Sequence, residues 1–134
     1  VADVSVDTDT GRIRVLRTFA AIDVGQVINP DGVKNQIEGG IVQATSWTLK
    51  EQVKFSAGRI ESTDWNGYPI LRFSEVPAIE VALIDRPELP FVGAGEAVQG
   101  PMAAAIGNAL ADAVSVRLRD APLTPARVVA ALRA

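Results

Sequence analysis

The chain contains no cysteine and no histidine. Within its own length this excludes disulfides, thiolate nucleophiles, Cys/His zinc sites, iron–sulfur ligation and a Ser-His-Asp triad. It leaves the redox compartment open. Aromatics are sparse, at 5%, and Trp47, Trp65 and Tyr68 read as core or domain-interface residues rather than as a binding cage. The 13 Lys and Arg are scattered among 16 Asp and Glu, for a net charge of −3. The pair Arg117 and Arg119 is followed at once by Asp120, so there is no footprint for nucleic acid. No apolar run reaches the roughly 18 to 20 residues of a membrane span. The chain opens on Val1 with neither an initiator Met nor a signal sequence. It reads as a piece of a longer polypeptide or as a processed subunit.

What is present describes a folded domain. The 134 residues are 48% hydrophobic and 22% charged, which suits one domain with a single core. Residues 2–7 and 12–24 predict a hairpin around the turn cluster DTDTG. Its second strand alternates at Ile13, Val15 and Leu16, then becomes apolar enough to suggest burial on both faces. From Asn29 or Asp31, with Pro30 in the first turn, a helix carries Val33, Ile37, Ile41, Val42 and Trp47 or Leu49 on one stripe. A second hairpin is expected at 49–55 and 59–64 around Ala57-Gly58, and a strand at 78–85. A small-residue helix follows over 101–118, then a final helix capped by Thr124 with Pro125 at its first position. There is no internal repeat. The order β-β-α-β-β-β-α-α gives an α+β class.

Two stretches carry candidate chemistry. In FVGAGEAVQGP, Glu96 stands among Gly93, Gly95 and Gly100 just before a helix. Such a carboxylate can simply favour the helix dipole, or it can be a general base in a dry pocket with its pKa set by burial. In NQIEGGIVQ, the Gly39-Gly40 pair costs a helix about 1 kcal/mol per glycine relative to alanine. Either a packing notch or the close approach of a ligand accounts for it. A metal site from Asp23, Asp31 and Glu38 lacks recognised ligand spacing.

Three stretches in order resemble a known C-terminus: DVGQVINPDGVKNQIEGGIVQATSWTLKEQV, YPILRFSEVPAIEVALIDRP and VGAGEAVQGPMAAAIGNALADAVSVRLRDAPLTPARV. It is that of the molybdenum-binding large subunit of the xanthine oxidase/aldehyde oxidase family. The similarity is greatest to the isoquinoline 1-oxidoreductase beta-subunit branch. The resemblance covers the chain from about residue 10 onward. It implies that residues 1–134 are the C-terminal portion of a bacterial molybdopterin-binding domain, and it leaves the compartment, cytoplasmic or periplasmic, open. In that family a Gly-x-Gly-Glu loop carries the catalytic glutamate, which Glu96 matches. Many members have proline directly after it, where Ala97 stands here. The resemblance also implies that Gln36, Gly39 and Gly40 border the pterin cofactor, with Gln99 and Gly100 nearby.

The implied activity is oxidative hydroxylation of an aldehyde or N-heterocyclic aromatic substrate with water-derived oxygen, Glu96 being the base. The implied cofactor is molybdopterin, as its cytosine dinucleotide, with molybdenum. Iron–sulfur clusters would sit on a small partner subunit. The rest of the molybdenum-binding subunit would be the other partner, and the isolated chain would be inactive. The alternative is a non-catalytic α+β module for assembly.

Overall fold

The computed structural model describes all residues, 1–134. Strands β1 (Ala2–Asp7) and β2 (Arg12–Asp23) pair antiparallel. The turn between them is closed by Gly11, at a φ of 72°, whose N–H donates to the Asp7 carbonyl at 2.7 Å. Helix α1 (Pro30–Leu49) follows, then two-residue strands β3 (Phe55–Ser56) and β4 (Arg59–Ile60), and a short 3-10 turn at Phe73–Glu75. Strand β5 (Ala78–Ile84) returns parallel to β2, giving a three-stranded sheet in the order β1-β2-β5. A parallel pair needs a long crossover, and α1 supplies most of it. Helices α2 (Gln99–Val114) and α3 (Pro125–Leu132) complete the chain. This is a mixed α and β fold with three helices and small sheets.

The core lies between one face of the sheet and the helices. Ile37, Ile41, Ala44 and Leu49 of α1 meet Met102, Ile106 and Leu110 of α2, with Ala2, Val15 and Val128 closing the cluster. The spacings of four along α2 and four and three along α1 place these side chains on one helical face each.

The far end of β2 is not buried on both faces. Ala20 and Ile22 are half-buried while Phe19, Ala21 and Asp23 are exposed, because helices cover only one side of the sheet. The phase of the alternation also shifts. Val15 pairs with Val4 and Arg17 with Asp3, so Leu16 is an extra residue, a β-bulge. Beyond it Thr18, not Phe19, faces the core. The second hairpin shrinks to four paired residues, with Ala57 and Gly58 both at positive φ as a primed two-residue turn requires. Helix α2 stops at Val114, four residues early, because Ser115 turns left-handed at a φ of 57°. Thr124 holds the N-cap position of α3 but its side chain makes no cap bond. Trp47 packs against the core and Tyr68 is half-buried, donating to Glu51 Oε2 at 2.7 Å. Trp65 is exposed, as are Phe55, Phe73 and Phe91.

Candidate functional site

The loop that carries Glu96 is tied down along its length. At its start, β5 ends beside the β2–α1 connection. The Arg86 N–H donates to the Gly25 carbonyl at 3.1 Å, Gln26 N–H to Leu89 O at 3.2 Å, and Val92 N–H to Val24 O at 2.9 Å. Gly25 has a φ of 68°, and a Cβ there would meet Pro90 O at 2.2 Å, so only glycine fits. Arg86 Nε also pairs with Asp23 Oδ2 at 2.9 Å.

The middle and end of the loop lie against α1. Gln36 Nε2 donates to the Gly95 carbonyl at 2.7 Å, one peptide ahead of Glu96. One turn on, Gly40 is buried, and a Cβ there would stand 2.5 Å from Val98 Cγ1. Two turns on, Gln43 Oε1 accepts from Gln99 Nε2 at 2.7 Å. Gln36, Gly40 and Gln43 share one face of α1 by their spacing of four and three.

Glu96 itself is exposed and takes part in none of the five ion pairs. The dry pocket expected around it is therefore not formed by this chain, whose loop residues 95–97 are all exposed. A dipole role is also poorly served. Glu96 precedes the first turn of α2, which holds no acidic residue, and the dipole's effect fades beyond that turn. Helix α2 starts without a side-chain cap, because Val98 occupies the N-cap.

The two glycines of α1 differ. Gly40 is the packing notch, filled by Val98, whereas a Cβ on Gly39 would meet nothing within 4 Å. Close approach to this chain's own backbone does not explain Gly39. The same holds for Gly93, Gly95 and Gly100, which have open space around them and no positive φ. Gly93 and Gly95 bare the backbone just ahead of Glu96, while Gly39 and Gly100 are exposed on α1 and α2. A groove of about 460 Å³, lined by Val24, Ile28, Gln36, Phe91, Val92 and Gly95 among others, runs alongside. A larger cavity of about 690 Å³ lies elsewhere, between Arg12, Lys50, Glu75 and Leu123, and contains none of the candidate residues.

The carboxylates considered for a metal are otherwise engaged. Asp23 pairs with Arg86 and accepts from Gly25 N, Asp31 accepts from Asn35, and Glu38 pairs with Lys34. No group of three or more acidic residues could hold a metal ion. No helix is long and apolar enough to cross a membrane.

The structure thus brings Gln36, Gly40, Gln99 and the Glu96 loop together, with Gly39 and Gly100 exposed nearby. Gln43, Val98 and Gly25 were not singled out in the sequence. The seven-residue spacing of Gln36 and Gln43, with Gly40 between, was the signal for the first of these.

The uncapped start of α2 favours negative charge, and the Glu96 carboxylate stands unpaired just ahead of it. Residues 1–77 match the family model of the molybdopterin cofactor-binding domain, and the chain belongs to that family. Its relatives place it among the molybdenum-binding subunits of xanthine oxidase family enzymes. It is 48% identical over 132 residues to a nicotinate dehydrogenase subunit of Pseudomonas putida, covering 98% of this chain and 11% of that one. It is 36% identical to the beta subunit of isoquinoline 1-oxidoreductase from Brevundimonas diminuta, covering 94% of this chain and 16% of that one. The crystal structure of quinoline 2-oxidoreductase from Pseudomonas putida 86 superposes with a TM-score of 0.84 at 33% identity, over 97% of this chain and 18% of that one. The chain therefore spans less than a fifth of the length of each of these relatives.

Proposed function

We propose that the chain is one wall of the active site of a molybdopterin-dependent oxidoreductase, and that Glu96 is its general base. The reaction is hydroxylation of an aldehyde or an electron-poor ring carbon of an N-heterocycle with oxygen from water. Nicotinate and isoquinoline, which two relatives carry in their names, are the first substrates to try. The cofactor is the cytosine dinucleotide of molybdopterin, and a small iron–sulfur subunit carries electrons away.

The observation that supports this reading is the Glu96 loop: an exposed carboxylate, unpaired within the chain, on a backbone fixed at three places and preceded by Gly93 and Gly95, which have open space around them. A purely structural carboxylate has no need of that arrangement.

The residues fit the cofactor. The exposed backbone at Gly39 and Gly100 admits a flat ring system or phosphate, and the Gly100 N–H in the first turn of α2 favours negative charge. Gln99 uses its amide nitrogen within the chain and keeps a carbonyl oxygen for a donor on the cofactor. When bound, the cofactor supplies the two-electron redox chemistry. Glu96 contributes a carboxylate oxygen that takes a proton from the attacking oxygen nucleophile and holds it while the substrate carbon is oxidised. The loop orients that oxygen, and exclusion of water falls to polypeptide outside this chain.

The test is to isolate the full-length subunit with its native partners and measure molybdenum, pterin cytosine dinucleotide and iron. Turnover of nicotinate, isoquinoline and benzaldehyde is measured on the same sample. Stoichiometric molybdenum with hydroxylated product supports the reading. A complex free of molybdenum, or one that turns over none of these classes, favours the assembly module.

A further inference from the structure

The α1 face that carries Gln36, Gly40 and Gln43 meets the Glu96 loop on successive turns, and each meeting has a different physical character. Gln36 donates to the carbonyl of Gly95 at 2.7 Å. Gly40 leaves the space that the Val98 side chain fills. Gln43 accepts from Gln99 at 2.7 Å. One contact lies just before Glu96 and two lie just after it.

We propose that this stripe is a clamp and that Gln36 is a positioning residue which sets the direction of the Glu96 carboxylate. The proposal rests on the reading of Glu96 as the base. The Gly95 carbonyl belongs to the rigid peptide plane whose other end is the Glu96 N–H. Fixing that oxygen fixes the plane from which the Glu96 side chain departs. Without the Gln36 bond, the run Gly93-Ala94-Gly95 has the wide φ/ψ freedom of its two glycines and open space to use it. A helix of 20 residues packed on the core is a rigid base for such a clamp. Gln36 is exposed, so its replacement leaves the core intact.

Two replacements separate positioning from other roles. Gln36→Met keeps the length and lacks the donor; Gln36→Lys keeps a donor within reach of the Gly95 oxygen. Both are made in the full-length subunit, alongside Glu96→Gln. The assay uses whichever of nicotinate, isoquinoline or benzaldehyde the parent turns over. For Gln36→Met, kcat should fall by about 10- to 100-fold, the scale of an ångström-level misplacement of a reacting group. KM should stay within about three-fold, because the loss falls on the transition state alone. Molybdenum and pterin content should match the parent, and amide hydrogen exchange across residues 93–98 should quicken. Gln36→Lys should recover most of kcat and the slow exchange. Parental kcat and exchange in Gln36→Met overturn the clamp, and so does activity lost in proportion to cofactor, which makes Gln36 a cofactor contact. Failure of Gln36→Lys to recover turnover at full cofactor content also overturns it. Near-parental turnover in Glu96→Gln removes the base reading instead, and the exchange measurement then judges the clamp on its own.

Discussion

Replacing each glycine of the α1 pair by alanine should move stability in opposite directions. In Gly40→Ala the new Cβ would stand 2.5 Å from Val98 Cγ1, against about 3.5–4.0 Å for an ordinary carbon contact. The overlap of about 1 Å or more must be relieved by Val98, whose χ1 is stiff and whose neighbour Gln99 is bonded to Gln43. Overpacking of this kind costs about 1–3 kcal/mol, and the better helix propensity of alanine returns about 1 kcal/mol. The net is a loss of about 0–2 kcal/mol. Gly40→Val adds two more methyls and a β-branch, so it should be the least stable of the set. In Gly39→Ala the new Cβ meets nothing within 4 Å, so the full propensity gain of about 1 kcal/mol should appear. A domain of this size shifts its midpoint by roughly 2–8 °C per kcal/mol, within reach of circular dichroism melts of the 134-residue chain. If Gly40→Ala melts above Gly39→Ala, or Gly40→Val melts with the parent, the notch is not where stability is decided.

Three other outcomes follow from the structure. Thr18 is 1% exposed and its hydroxyl has no partner, so Thr18→Val, of the same shape, should stabilise the chain by about 1 kcal/mol in a denaturant titration. Burial tends to raise the pKa of Glu75. The Lys50 hydrogen bond, the Arg72 N–H and the charges of Lys50 and Arg12 outweigh it and hold the carboxyl below its ordinary 4.5. Its contribution is present above 4.5 and is lost as pH falls toward the depressed folded-state value. Glu75→Gln should cost about 1 kcal/mol or less at neutral pH and flatten the acid limb of a stability–pH curve below 4.5. The isolated chain, spanning only 11% of one relative and 16% of another, should hold no stoichiometric molybdenum by elemental analysis after exposure to cofactor.

Much of this was legible in the sequence because it rests on local chemistry. Asn29 caps α1 through its side chain, accepting from Gly32 N at 3.0 Å, and Pro30 opens the helix. Both are short-range signals. Leu16 was misplaced because a bulge is set by pairing with another strand, which no period along one strand reveals. Ser115 ended α2 early although the apolar pattern ran on, since a single left-handed residue overrides it. The Gly39-Gly40 pair was visible as a cost, but the division of labour between its members depended on Val98, 58 positions from Gly40. The exposure of Phe73 and Phe91 carries no local signature either. A side chain meant for contact beyond the chain has the same composition as one meant for the core.

The central claim is that Glu96 serves as a base, and Glu96→Gln in the full-length subunit tests it most directly. The amide keeps the size of the side chain and removes the proton acceptor. With kcat, molybdenum content and thermal midpoint measured on one preparation, kcat should fall by about 10²–10⁴-fold while metal and midpoint stay with the parent. Turnover within a few-fold of the parent, with or without a drop of about 0.3–1 kcal/mol in stability of the kind a helix-dipole carboxylate gives, would contradict the account.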